Sequence, residues 1–84
     1  MRIVHYDSMK PEQDRMRVVA PEHAADWGGL GLRAYLGGPF ADRTGGLITF
    51  EADSVPKAEL MVAGDLFVQE DLLEASVVKE WVPQ

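Results

Sequence analysis

Apolar and polar positions alternate in four short stretches and recur at helical spacing in between, which predicts strands and helices in a mixed order. Arg2 to Tyr6 is rich in β-branched and aromatic residues and ends at Asp7-Ser8, so a first strand is expected there. Lys10-Pro11-Glu12-Gln13-Asp14 opens a polar, helix-compatible segment that Asp7 or Ser8 could cap, with Pro11 in its first turn. Pro21 would remove a helical hydrogen bond, so a break or a fresh helix start is expected at that point, with the helix running through Trp27 to about Leu30. This places His23 near the start of a short helix. Gly28-Gly29 weakens its last turn by roughly 1 kcal/mol per glycine relative to alanine.

Gly31 to Leu36 reads as a second strand, closed by a Gly37-Gly38-Pro39 turn. A glycine-rich loop over Ala41–Gly46 leads to a third strand, Leu47 to Ala52, and the spacing suits an antiparallel hairpin with a long tip. Asp53 or Ser54 caps a second helix with Pro56 in its first turn, and Gly64 supplies a left-handed stop. A turn at Leu66 to Asp71 precedes a last strand, Glu74 to Val82. The order β-α-β-β-α-β is the ferredoxin-like arrangement: an α+β fold with a four-stranded antiparallel sheet and two helices on one face. The third strand splits Leu47 and Thr49 from Ile48, Phe50 and Ala52; in the last strand Ala75, Val77 and Trp81 oppose Val78 and Val82. Both sides of the sheet therefore carry apolar residues, while the helices cover one. A homodimer with sheets packed face to face is expected.

The totals narrow the picture. The 84 residues suit a single domain, 1–84. The chain has no cysteine and two histidines, which leaves no disulfide framework and makes structural zinc an improbable expectation. Fourteen acidic residues against eight basic ones give a formal charge of -6, the wrong sign for nucleic acid or an anionic membrane surface. No apolar run is long enough for a transmembrane helix, and the N-terminal stretch turns polar too soon for a signal peptide. A cytoplasmic protein is the expectation.

Candidate chemistry centres on His23 and Asp65. Asp65 follows a helix C-terminus, where exposed carbonyls disfavour a carboxylate by roughly 0.3–1 kcal/mol. It either caps the turn Leu66 to Gln69 or stands beside a cation. With both helices on one face of the sheet, His23 and Asp65 can share a cleft, where the acid would orient the imidazole and favour its protonated form. Such a pair suits proton transfer to or from a small substrate. No serine or cysteine nucleophile motif accompanies it. Gly37-Gly38-Pro39-Phe40 reads as a turn whose backbone could also approach a ligand, and Gly45-Gly46 lacks the strand-to-helix context of a phosphate loop. Phe67 could wall the cleft or pack in the core; Trp27 and Tyr35 are expected to be buried. His5 is placed at either the pocket or the dimer interface. Glu12 to Asp14 and Glu70-Asp71 read as solvated surface.

Pro21-Glu22-His23, Gly38-Pro39, Phe50-Glu51-Ala52-Asp53, Asp65-Leu66-Phe67 and Glu80-Trp81, in that order and spacing, make the chain resemble the YciI-like (YCII-related) family over nearly its whole length. The resemblance implies a ferredoxin-like dimeric α+β barrel and a cleft whose catalytic pair would be His23 and Asp65; Gly38, Pro39 and Phe67, read above from the residues, are the candidate substrate contacts. Ala20 stands where that family often has arginine, with Arg17 one turn earlier as a substitute, and Leu66 replaces a usual proline. The expected function is a small cofactor-free enzyme performing elimination, isomerisation or a related lyase step on a small organic molecule, cyclic or aromatic by analogy with small-ring enzymes built on dimeric α+β barrels. The alternative is a non-catalytic dimer module that binds a small ligand or regulates a partner through the same cleft.

Overall fold

A computed structural model describes residues 1–11 and 14–84. Its elements are β1 (Arg2–Met9), α1 (Asp14–Gly29), β2 (Leu36–Pro39), β3 (Gly45–Glu51), α2 (Val55–Ala63), a short α3 (Leu66–Gln69) and β4 (Leu73–Glu80). The strands form one antiparallel sheet in the order β2-β3-β1-β4. The predicted ferredoxin-like fold is therefore the observed one, with α3 as an addition in place of the expected turn.

The two-residue period of β1 sets the layers. Ile3, His5 and Asp7 are buried on the side that packs against the helices, opposite Phe50, Ile48 and Gly46 of β3. Ile3, Phe50, Ile48, Trp27, Ala58 and Val62 make the main core; Met16, Val19 and Phe67 make a second cluster between α1 and α3. Fully burying a side chain such as Ile3 or Phe50 contributes about 1.5–3 kcal/mol. The alternate row, which includes Val4 and Tyr6 of β1 with Leu47 of β3 and Val77 of β4 as cross-strand partners of Tyr6, lies on the other side of the sheet.

Several local expectations are corrected. Pro21 does not break or start a helix: α1 runs through it, which puts His23 in the middle of α1 rather than near its start. Pro21 is exposed, so water can serve the Arg17 carbonyl it leaves without a donor, while Met16, Val19 and Trp27 anchor the helix on both sides of it. Asp7 and Ser8 are strand residues paired with Gly46 and Gly45, not caps of α1. Residues 12 and 13, in the expected first helical turn, lie outside the described residues.

The second strand is displaced as well. Gly31 and Ala34 adopt left-handed φ values of 66° and 53°, which no strand can pass through, so this stretch is a loop that sends Leu32 and Tyr35 against the core. The strand is instead Leu36–Pro39, the expected turn. It tolerates Gly and Pro because it is the sheet edge, with Pro39 at its last position. Gly45 and Gly46 likewise belong to β3; a Cβ at Gly45 would collide with the Asp7 carbonyl. Ser54 does cap α2, its side chain accepting from Lys57 N–H at 3.2 Å, but Gly64 ends the helix in a right-handed conformation (φ −87°) rather than a left-handed one. The Glu70-Asp71 run is more than solvated surface: Glu70 grips Arg15 through two bonds (2.6 and 2.9 Å), and Asp71 pairs with Lys10 at 3.0 Å.

Candidate functional site

Asp65 is where the two helical segments meet. Its backbone is extended and it N-caps α3, with Oδ1 accepting from Phe67 N–H (2.7 Å) and Val68 N–H (3.3 Å). Its other oxygen, Oδ2, accepts from Trp27 Nε1–H and pairs with His23 Nε2, both at 2.7 Å. The two readings left open by the sequence, a cap and a partner for a cation, are thus satisfied by different oxygens of one carboxylate. Burial pushes this carboxyl up, but the bonds from His23 and Trp27, the charge of His23 and the Phe67 N–H outweigh it and hold Asp65 below its usual range. An ionised carboxylate only accepts, so the Nε2 facing it carries the hydrogen and the basic lone pair of neutral His23 falls on Nδ1.

The imidazole is held from a second direction. Its ring lies flat on Phe67, centroids 3.7 Å apart and planes 3° from parallel. Phe67 is buried in the α1–α3 cluster and also lines the cavity, so core packing and cleft wall are one role. Trp27 stacks in turn on Tyr35 (6.4 Å, 9°).

His23 lines a cavity of about 420 Å³ between α1 and the β2–β3 side of the sheet. That size lies within the usual span of small-molecule sites. Met16, Arg17, Ala20 and Ala24 line it from α1; Gly37, Gly38 and Pro39 from β2; Gly46, Leu47 and Ile48 from β3. Asp7, Met9, Tyr35, Arg43 and Phe67 complete the wall. Gly38, Pro39 and Phe67 therefore share a cavity with His23, while Asp65 lies behind the wall. Arg17, the residue one turn before Ala20, is at the cavity too. Gly37 and Gly46 leave the space open: a Cβ on Gly37 would lie 2.8 Å from Tyr35 Oη, and one on Gly46 would lie 3.0 Å from the Gly38 carbonyl.

Two residues carry more than the sequence suggested. Trp27 is buried as expected, yet its N–H fixes the carboxylate that fixes His23. Asp7 is buried at the cavity wall, with Oδ1 accepting from Gly46 N–H at 3.0 Å and Oδ2 3.7 Å from His5 Nε2. Burial raises its pKa, against the opposing effects of His5 and the Gly46 N–H. The available signal for Asp7 was alternation: it continues the inward row of Ile3 and His5, a costly place for a carboxylate. His5 itself is neither at the cavity nor on the open side of the sheet. It is fully buried, its Nδ1 3.1 Å from the Val77 carbonyl, its ring stacked on Trp27 (6.3 Å, 27°) and its Nε2 without a hydrogen-bond partner. Among the described residues no group of three or more His, Asp or Glu side chains could hold a metal ion, and no helix is long and apolar enough to cross a membrane.

No protein-family model and no curated protein matches the chain. Among solved structures it is similar to 5-chloro-2-hydroxyhydroquinone dehydrochlorinase from Burkholderia phenoliruptrix, in complex with 2,5-dihydroxybenzoquinone. The TM-score is 0.82 at 25% identity, covering 98% of this chain and 94% of that one. An antibiotic biosynthesis monooxygenase matches in fold, with a TM-score of 0.58 at 15% identity and 98% of both chains covered. These likenesses indicate the dimeric α+β-barrel superfamily; the YciI-like family is not itself among the matches.

Proposed function

We propose that this chain is a small lyase-type enzyme, of the YciI-like kind, that eliminates H–X from a hydroxylated ring, with His23 as the proton acceptor and Asp65 as its positioning residue. The observation that carries this reading is the 2.7 Å contact between His23 Nε2 and a buried carboxylate, at the wall of a cavity that accommodates a small molecule. A neutral imidazole with Nε2–H committed to Asp65 presents Nδ1 as base, and the carboxylate stabilises the cation formed when that base takes a proton. Phe67, Met9, Met16, Ala20 and Ile48 give largely apolar walls, as a flat ring requires. The likeness to a dehydrochlorinase at 25% identity supports the same class of reaction. Loss of H–X is redox-balanced within the substrate, since X departs with the bonding electron pair and the carbon that bore it gains a hydrogen, while two hydroxyls become the carbonyls of a quinone. The chemistry thus needs no cofactor.

The test is chloride release from 5-chloro-2-hydroxyhydroquinone. The wild-type chain is expected to turn it over, and His23→Ala to lose about 10²- to 10⁴-fold in kcat. A wild type that releases no chloride, or a His23→Ala variant as fast as wild type, would overturn the reading. The departure at Ala20 favours a second reading, ligand binding without turnover. Its signature is thermal stabilisation by 2,5-dihydroxybenzoquinone that survives His23→Ala, in the absence of chloride release. In either case the active form is a homodimer joined through the open sheet face, in the cytoplasm.

A further inference from the structure

Elimination of H–X from a hydroxylated aromatic ring needs two proton-transfer groups. One takes a proton from a ring hydroxyl while another delivers a proton to the ring carbon bearing X, giving the keto tautomer. A second hydroxyl then gives up its proton, X− leaves with the electron pair of its bond, and a quinone remains. The ring has lost two hydroxyl protons and X−, and gained one proton at carbon. Asp65 cannot be the second group: Oδ1 is taken by two backbone N–H groups, Oδ2 by His23 and Trp27, and the carboxylate does not line the cavity.

We propose that Asp7 is that second group, the catalytic acid that protonates the carbon bearing X and then, as carboxylate, accepts the second hydroxyl proton. The inference rests on the elimination reading and adds a residue to it. Asp7 enters from β1, on the sheet side of the cavity, whereas His23 enters from α1, so a flat ring between the layers meets both. Gly46, opposite Asp7 in the β1–β3 register, has no side chain to cover it and supplies the N–H that aims its Oδ1. The groups that act on Asp7 are His5 on its own strand, His23 on α1 and Asp65 behind the wall, and Arg17, Tyr35 and Arg43 line the same cavity. Burial favours the protonated form that an acid must hold before the first step, and His5 and the Gly46 N–H temper it, so the carboxylate formed in that step is supported when it forms. After the second step Asp7 is again protonated, and the imidazolium of His23 surrenders its proton as X− leaves the site.

Asp7→Asn keeps an oxygen for the Gly46 N–H. It is expected to lower kcat for 5-chloro-2-hydroxyhydroquinone by about 10²- to 10⁴-fold, with KM little changed. Wild-type activity should fall as pH rises and Asp7 ionises, and the variant's residual activity should lack that alkaline limb. An Asp7→Asn variant with wild-type kcat and pH profile would overturn the proposal. A wild type inactive on this probe would overturn the elimination reading instead. The role of Asp7 is then decided by carboxyl-carbon NMR of aspartate-labelled wild-type protein with 2,5-dihydroxybenzoquinone. A shifted Asp7 signal supports an acid facing the bound ring, and an unmoved signal overturns it; the same measurement decides if Asp7→Asn does not fold.

Discussion

Asp65 divides its oxygens between a helix cap and an imidazole–indole pair, so its replacement is felt in stability as well as in chemistry. Asp65→Asn keeps an acceptor for Phe67 N–H but turns an amide N–H₂ toward Trp27 N–H and His23 N–H. Leaving the buried Trp27 donor unpaired, and the half-buried His23 without its carboxylate, is expected to cost about 1–3 kcal/mol at neutral pH, read by urea unfolding. The pH dependence follows from the direction of the shift. Asp65 is held below its ordinary value of 3.8, so its contribution is complete above that value and is lost as pH falls through the lower, folded value. The stability gap between wild type and Asp65→Asn should therefore be widest near neutrality and close in acid; a gap independent of pH would refute the ionised-cap account. Asp7 has the opposite sign. Its raised pKa gives a contribution present below the ordinary value and lost as pH rises through the folded one.

At the scale of elements, α1 carries a proline in its interior, which costs about 3 kcal/mol relative to alanine in an exposed helix. Pro21→Ala restores an N–H for the Arg17 carbonyl but loosens the unfolded chain by about 0.4–1 kcal/mol. A net gain of about 2 kcal/mol is expected in urea unfolding. A variant no more stable than wild type would mean that water already serves that carbonyl fully. β2 illustrates the reverse case, in which weak strand formers are tolerated because the element is a short edge with only one neighbour to pair with. Gly37 of β2 and Gly46 of β3 also line the cavity, where a Cβ would crowd Tyr35 or the Gly38 carbonyl.

At the scale of the whole molecule, the helix-free side of the sheet leaves large apolar residues in water. Leu36 is 74% exposed, and Tyr6 (42%) and Leu47 (39%), partners across β1 and β3, form the middle of the row. Exposed apolar patches of this kind mark interaction surfaces, and the proposed homodimer would cover this one with a second copy of the same sheet. The double substitution Tyr6→Lys with Leu47→Lys is expected to convert a dimer to monomers in sedimentation, since it sets like charges against each other on an apolar face. A wild type that sediments as a stable monomer at micromolar concentration would defeat the dimer.

The order of elements and the inward rows were legible because strand alternation and helix caps are local: Ile48 and Phe50 against Leu47 and Thr49, Ser54 before Val55, Pro56 in the first turn of α2. The pairing of His23 with Asp65 could be anticipated too, since topology puts both helices on one side of the sheet. What the chain's own pattern could not decide was where contacts between distant segments override a local signal. Pro21 stays inside a helix because the core holds both ends of α1. Gly37 to Pro39 becomes a strand because β3 offers it a ladder. Alternation along β1 sets Asp7 inward beside His5, but it lines a cavity only once Gly46 pairs with it across the sheet and α1 packs over the opening, which no spacing along one strand encodes.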